Sequence, residues 1–285
     1  LMKILGVNTL SHDSSVCLWN DGKIEHLICK DRNFYLDIDI VEQALDFKPE
    51  VISFFEKPYL RKAREIYSGK WSSAINTPPS MYLRSLGFKQ PIKYQLHHKS
   101  HAAYGMFSHL CDDAIVFVID AIGEWDCTTV WDVGQNQYTN LYRKQYPYSL
   151  GLFYSAFTQL FGYKPNSEEH LFYQLSLAGD PSYYRDYVYP YLFKNNHMGI
   201  KNWNDIPKNE HLAGAVQSIF ESEIDQLISK FAYKKTTAIF VGGCCMNPAV
   251  KRIAELYFED VYIPPKPGDV SSSIGAAYLL NQALP

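Results

Sequence analysis

Two stretches of the chain open with the same pattern of apolar runs. Residues 2–9 (MKILGVNT) and 14–19 (SSVCLW) have the length and composition of strands, and Asn20-Asp21-Gly22 is a hairpin turn signal before 23–29 (KIEHLIC). Residues 114–120 (AIVFVID), 127–132 (CTTVWD) and 138–143 (YTNLYR) repeat the arrangement, with a turn at Gly134. Each opening predicts a three-strand meander whose first strand ends near an Asp, Asp13 in one and Asp120 in the other. This internal similarity predicts a duplicated architecture.

Helices and strands alternate after each meander. In the first half, 40–47 predicts a helix and 51–55 (VISFF) a strand. In the second, helical spacing of apolar residues marks 150–161, 209–232, 247–257 and 269–282, with strands at 237–241 (TAIFV) and 260–263 (DVYI). The alternation predicts an α/β fold with mixed or parallel sheets covered on both sides. Residues 1–110 form one expected lobe and 111–285 the other, with a cleft between them. Residues 164–207, poorly periodic and rich in Tyr, Asn and Pro, read as an insertion near that cleft.

Hydrophobic residues make up 47% of the 285, enough for a packed core and too many for a disordered chain. The net charge of −3 argues against a broad grip on nucleic acid. Lys57, Arg61, Lys62 and Arg64 form one basic patch, expected to be the solvated side of a short helix. Cys17, Cys29, Cys111, Cys127, Cys244 and Cys245 include no Cys-x-x-Cys pair, so neither a zinc ribbon nor a redox dithiol is indicated. With no signal peptide and no bilayer-length apolar run, the expectation is a reduced, cytoplasmic setting and no membrane partner.

The sharpest chemical feature is His97-His98-Lys99-Ser100-His101. At the start of a helix, His97 and His101 share one face and can bind one cation. Asp120, at a strand end, and Asp269, after Pro267-Gly268, are carboxylates able to complete such a shell, although helix capping alone also accounts for an Asp at 269. Two His and two carboxylates suit iron(II) first, with manganese or zinc as alternatives. Gly242-Gly243 lies between a strand and a helix, where a nucleotide can approach the backbone. Ser11, His12 and Asp13 sit in a polar turn that either cradles phosphate or is an ordinary turn.

Several segments together resemble a known family. HHKSHAA (97–103) is similar to a His-His-x-x-His-Ala signature, and VIDAIGEWDCTT (118–129) to an Asp-Gly-x-Gly-Glu-x-x-x-Thr turn. PYSLGLFYSAFTQLFGYKPNSEE (147–169), VGGCCMN (241–247), PGDVSSSIGAA (267–277) and the opening SHDSS match further blocks in order. The family is the O-carbamoyltransferases of the NodU, TobZ and CmcH type. The resemblance implies two ribonuclease H-like lobes of the actin and sugar-kinase (ASKHA) type. It also implies a metal on His97, His101, Asp120 and Asp269. ATP or carbamoyl adenylate would be held by Ser11, Asp13, Gly123, Ser155, Asn166, Glu169, Gly242, Gly243 and Asn247.

Members of the family make carbamoyl adenylate from carbamoyl phosphate and ATP in a YrdC-like domain that follows this one, then carbamoylate a hydroxyl. The 285 residues end before such a domain, so the expectation is either a separate YrdC-like protein or an excised or reduced form of the longer chain. Glu168, Leu171 and Gln174 depart from the family's Gly, Lys and Gly, Ser271 replaces a Gly, and Lys30-Asp31-Arg32 stands where a Glu-Glu-x-Arg stretch is usual. His12 is the expected general base, since a neutral imidazole suits that task near pH 7. The acceptor would be a sugar, an antibiotic or a hydroxymethylated nucleobase, the last without support from charge. One alternative is a non-catalytic nucleotide-binding scaffold. Another, a tRNA threonylcarbamoyl transferase, needs His-x-Glu-Gly-His, and Lys99-Ser100 does not supply it.

Overall fold

The computed structural model describes residues 2–30, 32–201, 203 and 206–284. Asp31 of the Lys30-Asp31-Arg32 stretch, and positions 202, 204 and 205 of the expected insertion, lie outside the described residues.

The duplication read from the two openings is present in the strand order. Strands β1 (Lys3–Asn8), β2 (Ser14–Asn20) and β3 (Lys23–Lys30) form an antiparallel meander. Strands β4 (Val51–Phe54) and β5 (Ile92–Tyr94) then add parallel to β1, in the order β3-β2-β1-β4-β5. In the second sheet β6 (Asp113–Ile119), β7 (Asp126–Gly134) and β8 (Gln137–Gln145) form the meander. Strands β9 (Thr237–Val241) and β10 (Asp260–Tyr262) extend it in parallel, giving β10-β9-β6-β7-β8. Each sheet thus keeps its first strand at the centre, where both faces are covered and the sequence is continuously apolar.

The side-chain alternation of β6 shows what covers them. Ile115, Phe117 and Ile119 pack outward against α5 (Leu150–Leu160), α8 (Glu210–Ser229) and α9 (Pro248–Ala254). Val116 and Val118 face inward, toward Ala102 and Met106 of α4 (His97–His109) and Ile274 of α10 (Ser272–Gln282). The same inner layer takes Ile4, Cys17 and Trp19 from the first sheet. The outer face of the first sheet packs Leu5, Val7 and Val16 against α1 (Ile38–Asp46) and α3 (Pro79–Ser85). Helices α4 and α10 therefore lie side by side between the two sheets. Burying a side chain such as Phe117 stabilises by about 2–3 kcal/mol, and this layer keeps the first turn of α4 fixed against the start of α10.

The helix α2 (Pro58–Tyr67) corrects one expectation. Its basic residues are not a solvated face: Arg64 is buried, and Arg61 pairs with Glu56 and Glu65. Among the described residues, no helix is long and apolar enough to cross a membrane.

Candidate metal centre and cleft

Helix α4 starts at His97 because distant groups satisfy its first turn. Leu96, the capping residue, offers no side-chain bond. Instead both carboxylate oxygens of Glu124 accept from the His97 backbone N–H at 3.2 Å, and one also accepts from Lys57 N–H at 2.9 Å. A carboxylate at a helix N-terminus meets both an orphan donor and the helix dipole. Ser100 Oγ donates to the Phe55 carbonyl at 3.0 Å, tying the same turn to the end of β4.

Four side chains converge there. His97 and His101 present their Nε2 atoms 3.1 Å apart. Asp269 Oδ1 lies 3.1 Å from His101 Nε2 and 3.3 Å from His97 Nε2. Asp120 Oδ2 lies 3.3 Å and 3.8 Å from the same two nitrogens, His97 first. All four donor atoms lie within 4.8 Å of one another, and all four residues are buried. Atoms that bind one ion at the usual 2.0–2.2 Å stand about 3–3.5 Å from each other, so the spacing fits a single cation. Asp269 is not a helix cap: Gly268 holds that position for the 3-10 turn at 269–271, and Ser271 holds it for α10.

The electrostatics agree with the geometry. Burial opposes charge on His97, but Asp269 and Asp120 reverse that and raise its pKa well above the ordinary value. Burial also works against ionisation of Asp269, and the charge of His97 and then His12 holds it well below the ordinary value. The two carboxylates therefore demand positive charge, which protonated imidazoles or a divalent cation can supply. The Nδ1 atoms of His97 and His101 are buried without a hydrogen-bond partner, and Glu56 Oε2 stands 3.9 Å from the former. Such outer carboxylates commonly orient metal-bound imidazoles. His98 turns elsewhere, with Nδ1 3.0 Å from Thr129 Oγ1, and burial holds its pKa well below the ordinary value.

Gly123 matters for its lack of a side chain. A Cβ there would lie 2.9 Å from the His97 ring, so only glycine lets the turn after β6 close over the imidazole.

His97, Asp120 and Asp269 line a cleft of about 470 Å³. Ser11, His12, Gly123, Ser155 and Asn166 of the expected site line it. The remaining expected nucleotide residues are engaged nearby. Asp13 accepts from Arg32 N–H, and Glu169 accepts from Ser155 Oγ and from the Asn166 and Ser167 amides. Gly242, at φ 97°, turns the chain after β9, and Gly243 N–H donates to Asp120 Oδ1 at 3.1 Å. Asn247 caps α9 through Ala249 N–H and exchanges hydrogen bonds with Gln217. His12 is exposed at the cleft mouth, its Nδ1 3.5 Å from Asp13 and 3.6 Å from Asp269. Partial burial opposes its charge, but Asp269 and Asp13 outweigh it and raise the pKa.

The sequence reading missed Glu124, Glu56 and the inward turn of Arg61 and Arg64. A signal for the last was available: positions 57, 61 and 64 share one helix face.

A family model described as carbamoyltransferase N-terminus matches residues 54–194, the span that contains His97, His101 and Asp120. Residues 54–194 belong to the carbamoyltransferase N-terminal family. His12 and Asp269 lie outside the matched span, and the fold brings them to it. The carbamoyltransferase segment is part of a chain 25% identical to an uncharacterized protein of Synechocystis, over 99% of this chain and 58% of that protein. The chain thus spans less than two thirds of that relative's length. Among solved structures, full-length HypF in a phosphate- and nucleotide-bound form matches at TM-score 0.60 and 13% identity, covering 99% of this chain and 46% of that one. A hexokinase of the ROK family from Thermus thermophilus matches at TM-score 0.55 and 13% identity, covering 99% and 100%. These likenesses establish the fold, the two-lobed actin and sugar-kinase type.

One contact on the cleft wall, between a residue of the matched segment and one just beyond it, carries a pH prediction. Lys70 Nζ donates to His197 Nε2 at 2.6 Å. Burial, then Lys70 and Arg64, lower the His197 pKa from 6.5 to about 4, with Glu65 opposing. Because the folded value is depressed, docking of 196–199 is fully supported above pH 6.5 and weakens as pH falls toward 4. Hydrogen exchange across 195–200 should accelerate over that window once intrinsic rates are removed. In His197→Gln the acceleration should vanish; an unchanged pH profile in that variant would refute the assignment.

Proposed function

We propose that this chain is the metal- and nucleotide-binding part of an O-carbamoyltransferase, with residues 1–110 and 111–285 acting as its two lobes. The supporting observation is the convergence of His97, His101, Asp120 and Asp269 on a cleft whose mouth holds His12. In this reading carbamoyl adenylate, made from carbamoyl phosphate and ATP by a YrdC-like partner, is the donor. His97, His101, Asp120 and Asp269 would hold a divalent cation, iron(II), manganese or zinc, which would supply positive charge to offset that of a phosphate. Ser11, Asp13, Gly123, Ser155, Asn166, Glu169, Gly242, Gly243 and Asn247 surround the nucleotide. His12 has its Nδ1 turned to Asp13 and Asp269, leaving Nε2 to accept the acceptor's hydroxyl proton. The acceptor oxygen bonds to the carbamoyl carbon as the carbamoyl–phosphate bond breaks, and AMP leaves with that electron pair. Holding the two reactants in the cleft supplies much of the rate.

The test is to incubate the protein with carbamoyl phosphate, ATP and a YrdC-like protein, and to screen alcohols for carbamoylation by mass. Transfer is expected in the wild type. His12→Gln should slow it by about 10²–10⁴-fold, the usual worth of a general base, while leaving metal content intact. No carbamoylated product from any alcohol refutes the proposal, and wild-type turnover in His12→Gln removes the base. A scaffold is the second reading, favoured by Gly243 and Asn247 being engaged within the protein itself. It predicts nucleotide binding without any transfer.

A further inference from the structure

Beside His97, Asp120 and Asp269, one end of the cleft is walled by α2, Lys70, Asn196, His197 and Gly199. Three cations face this end, Arg61, Arg64 and Lys70, with two carboxylates, Glu56 and Glu65. Arg61 uses both carboxylates: its Nη1 donates to Glu56 at 2.8 Å and its Nε to Glu65 at 3.0 Å. Arg64 has no such partner of its own. It is 5% exposed, and its hydrogen bonds go to neutral carbonyls, from Nε to Glu124 at 3.0 Å and from Nη2 to Gly123 at 3.4 Å. The carboxylate within reach of it among the described residues is Glu65, 3.8 Å away and already bound to Arg61. Lys70 donates to an imidazole, again a neutral group.

The balance of charge separates these cations. Burial works against Arg61, yet its two carboxylates raise its pKa. Burial lowers both Arg64 and Lys70, and no carboxylate reverses it. Buried charge is normally paired, and a cation left unpaired beside open volume is poised to take an anion. The guanidinium fork and the ammonium together suit a tetrahedral or planar oxyanion.

We propose that this end of the cleft binds a phosphate or carboxylate group carried by the acceptor alcohol, so that the acceptor's hydroxyl reaches His12 while its anion rests on Arg64 and Lys70. This rests on the carbamoyl-transfer reading for the word acceptor, but not for the anion. Arg64 and Lys70 lie by α2, and the expected nucleotide residue Gly123 shares that wall, its carbonyl accepting from Arg64, whereas Gly242 lies in the turn after β9 and Glu169 at the start of α6 (Glu169–Ser176).

Glucose 6-phosphate and glucose serve as probes, titrated calorimetrically against the full chain with and without saturating AMP. The phosphorylated sugar should bind about tenfold or more tighter, as charge-assisted pairing to a desolvated cation predicts. AMP should leave that preference intact. Lys70→Gln should erase most of it. Arg64→Lys, which keeps charge but loses the fork, should weaken it with the melting temperature monitored, since Arg64 also holds the 123–124 turn. Equal binding of the two sugars overturns the proposal, as does an unchanged preference in Lys70→Gln in a folded protein. Competition between AMP and glucose 6-phosphate overturns the acceptor assignment and places the anion on the donor. If no alcohol is ever carbamoylated but Lys70-dependent anion binding persists, the transfer reading falls and the anion site stands. If uncharged alcohols are carbamoylated as readily as phosphorylated ones, the anion site falls and transfer stands.

Discussion

His101→Ala should remove bound metal and carbamoyl transfer together. His101 is fully buried, with Nε2 3.1 Å from both His97 Nε2 and Asp269 Oδ1. Its loss takes one of four donors and leaves two buried carboxylates with His97 as the remaining imidazole donor. Removing an outer partner of a metal-bound His costs about 10–100-fold in affinity, so removing the ligand itself should cost more. Elemental analysis of the purified variant should find no retained iron, manganese or zinc where the wild type holds an ion, and transfer should fall with metal content. Because an emptied core position also costs stability, Asp269→Asn provides a variant of nearly equal volume. It should lose the metal while melting close to the wild type without metal. A metal-loaded His101→Ala, or wild-type transfer from a metal-free variant, would sink the four-donor centre.

Much of this centre was legible in sequence, and the limits have physical causes. The apolar runs of β6 and β9 announced strands covered on both faces, and the three-strand openings announced the repeat. His97 and His101 were legible because helical spacing is local: one turn puts both on one face. Asp269 was ambiguous, since an Asp before a helix satisfies a capping rule, and only the meeting of residues 101 and 269 decides otherwise. The basic run at 57–64 was misread for the opposite reason. Its solvated reading assumed no partners, but Arg64 is held by carbonyls 59 and 60 residues away. Glu124 carries the same lesson. Within its own segment it is a turn acid, and its task, holding the first amide of α4, exists only in three dimensions. Strand β5, with three residues, is too short for a periodic signal.

Gly275→Ala should damage the same centre without touching a ligand. Helix α10 crosses α4 at Gly275, where a Cβ would lie 1.8 Å from the Ser100 carbonyl oxygen and 3.0 Å from Tyr104 N. Both obstacles are backbone atoms of α4, so no rotamer change relieves the clash. The helices must move apart by more than an ångström, in a layer held between two sheets. Overpacking of this kind costs about 1–3 kcal/mol, occasionally more, and the upper end is expected because the neighbour is backbone rather than side chain. The movement has a direction that matters. Helix α4 carries His97 and His101, while Asp269 immediately precedes α10, so widening the crossing pulls the two histidines away from that carboxylate. Urea unfolding should show a lowered midpoint, and metal titration of the folded fraction should show weaker binding. Wild-type stability in Gly275→Ala would mean the two helices are not locked. Lowered stability with unchanged metal affinity would mean that the centre adjusts independently of the layer that presents it.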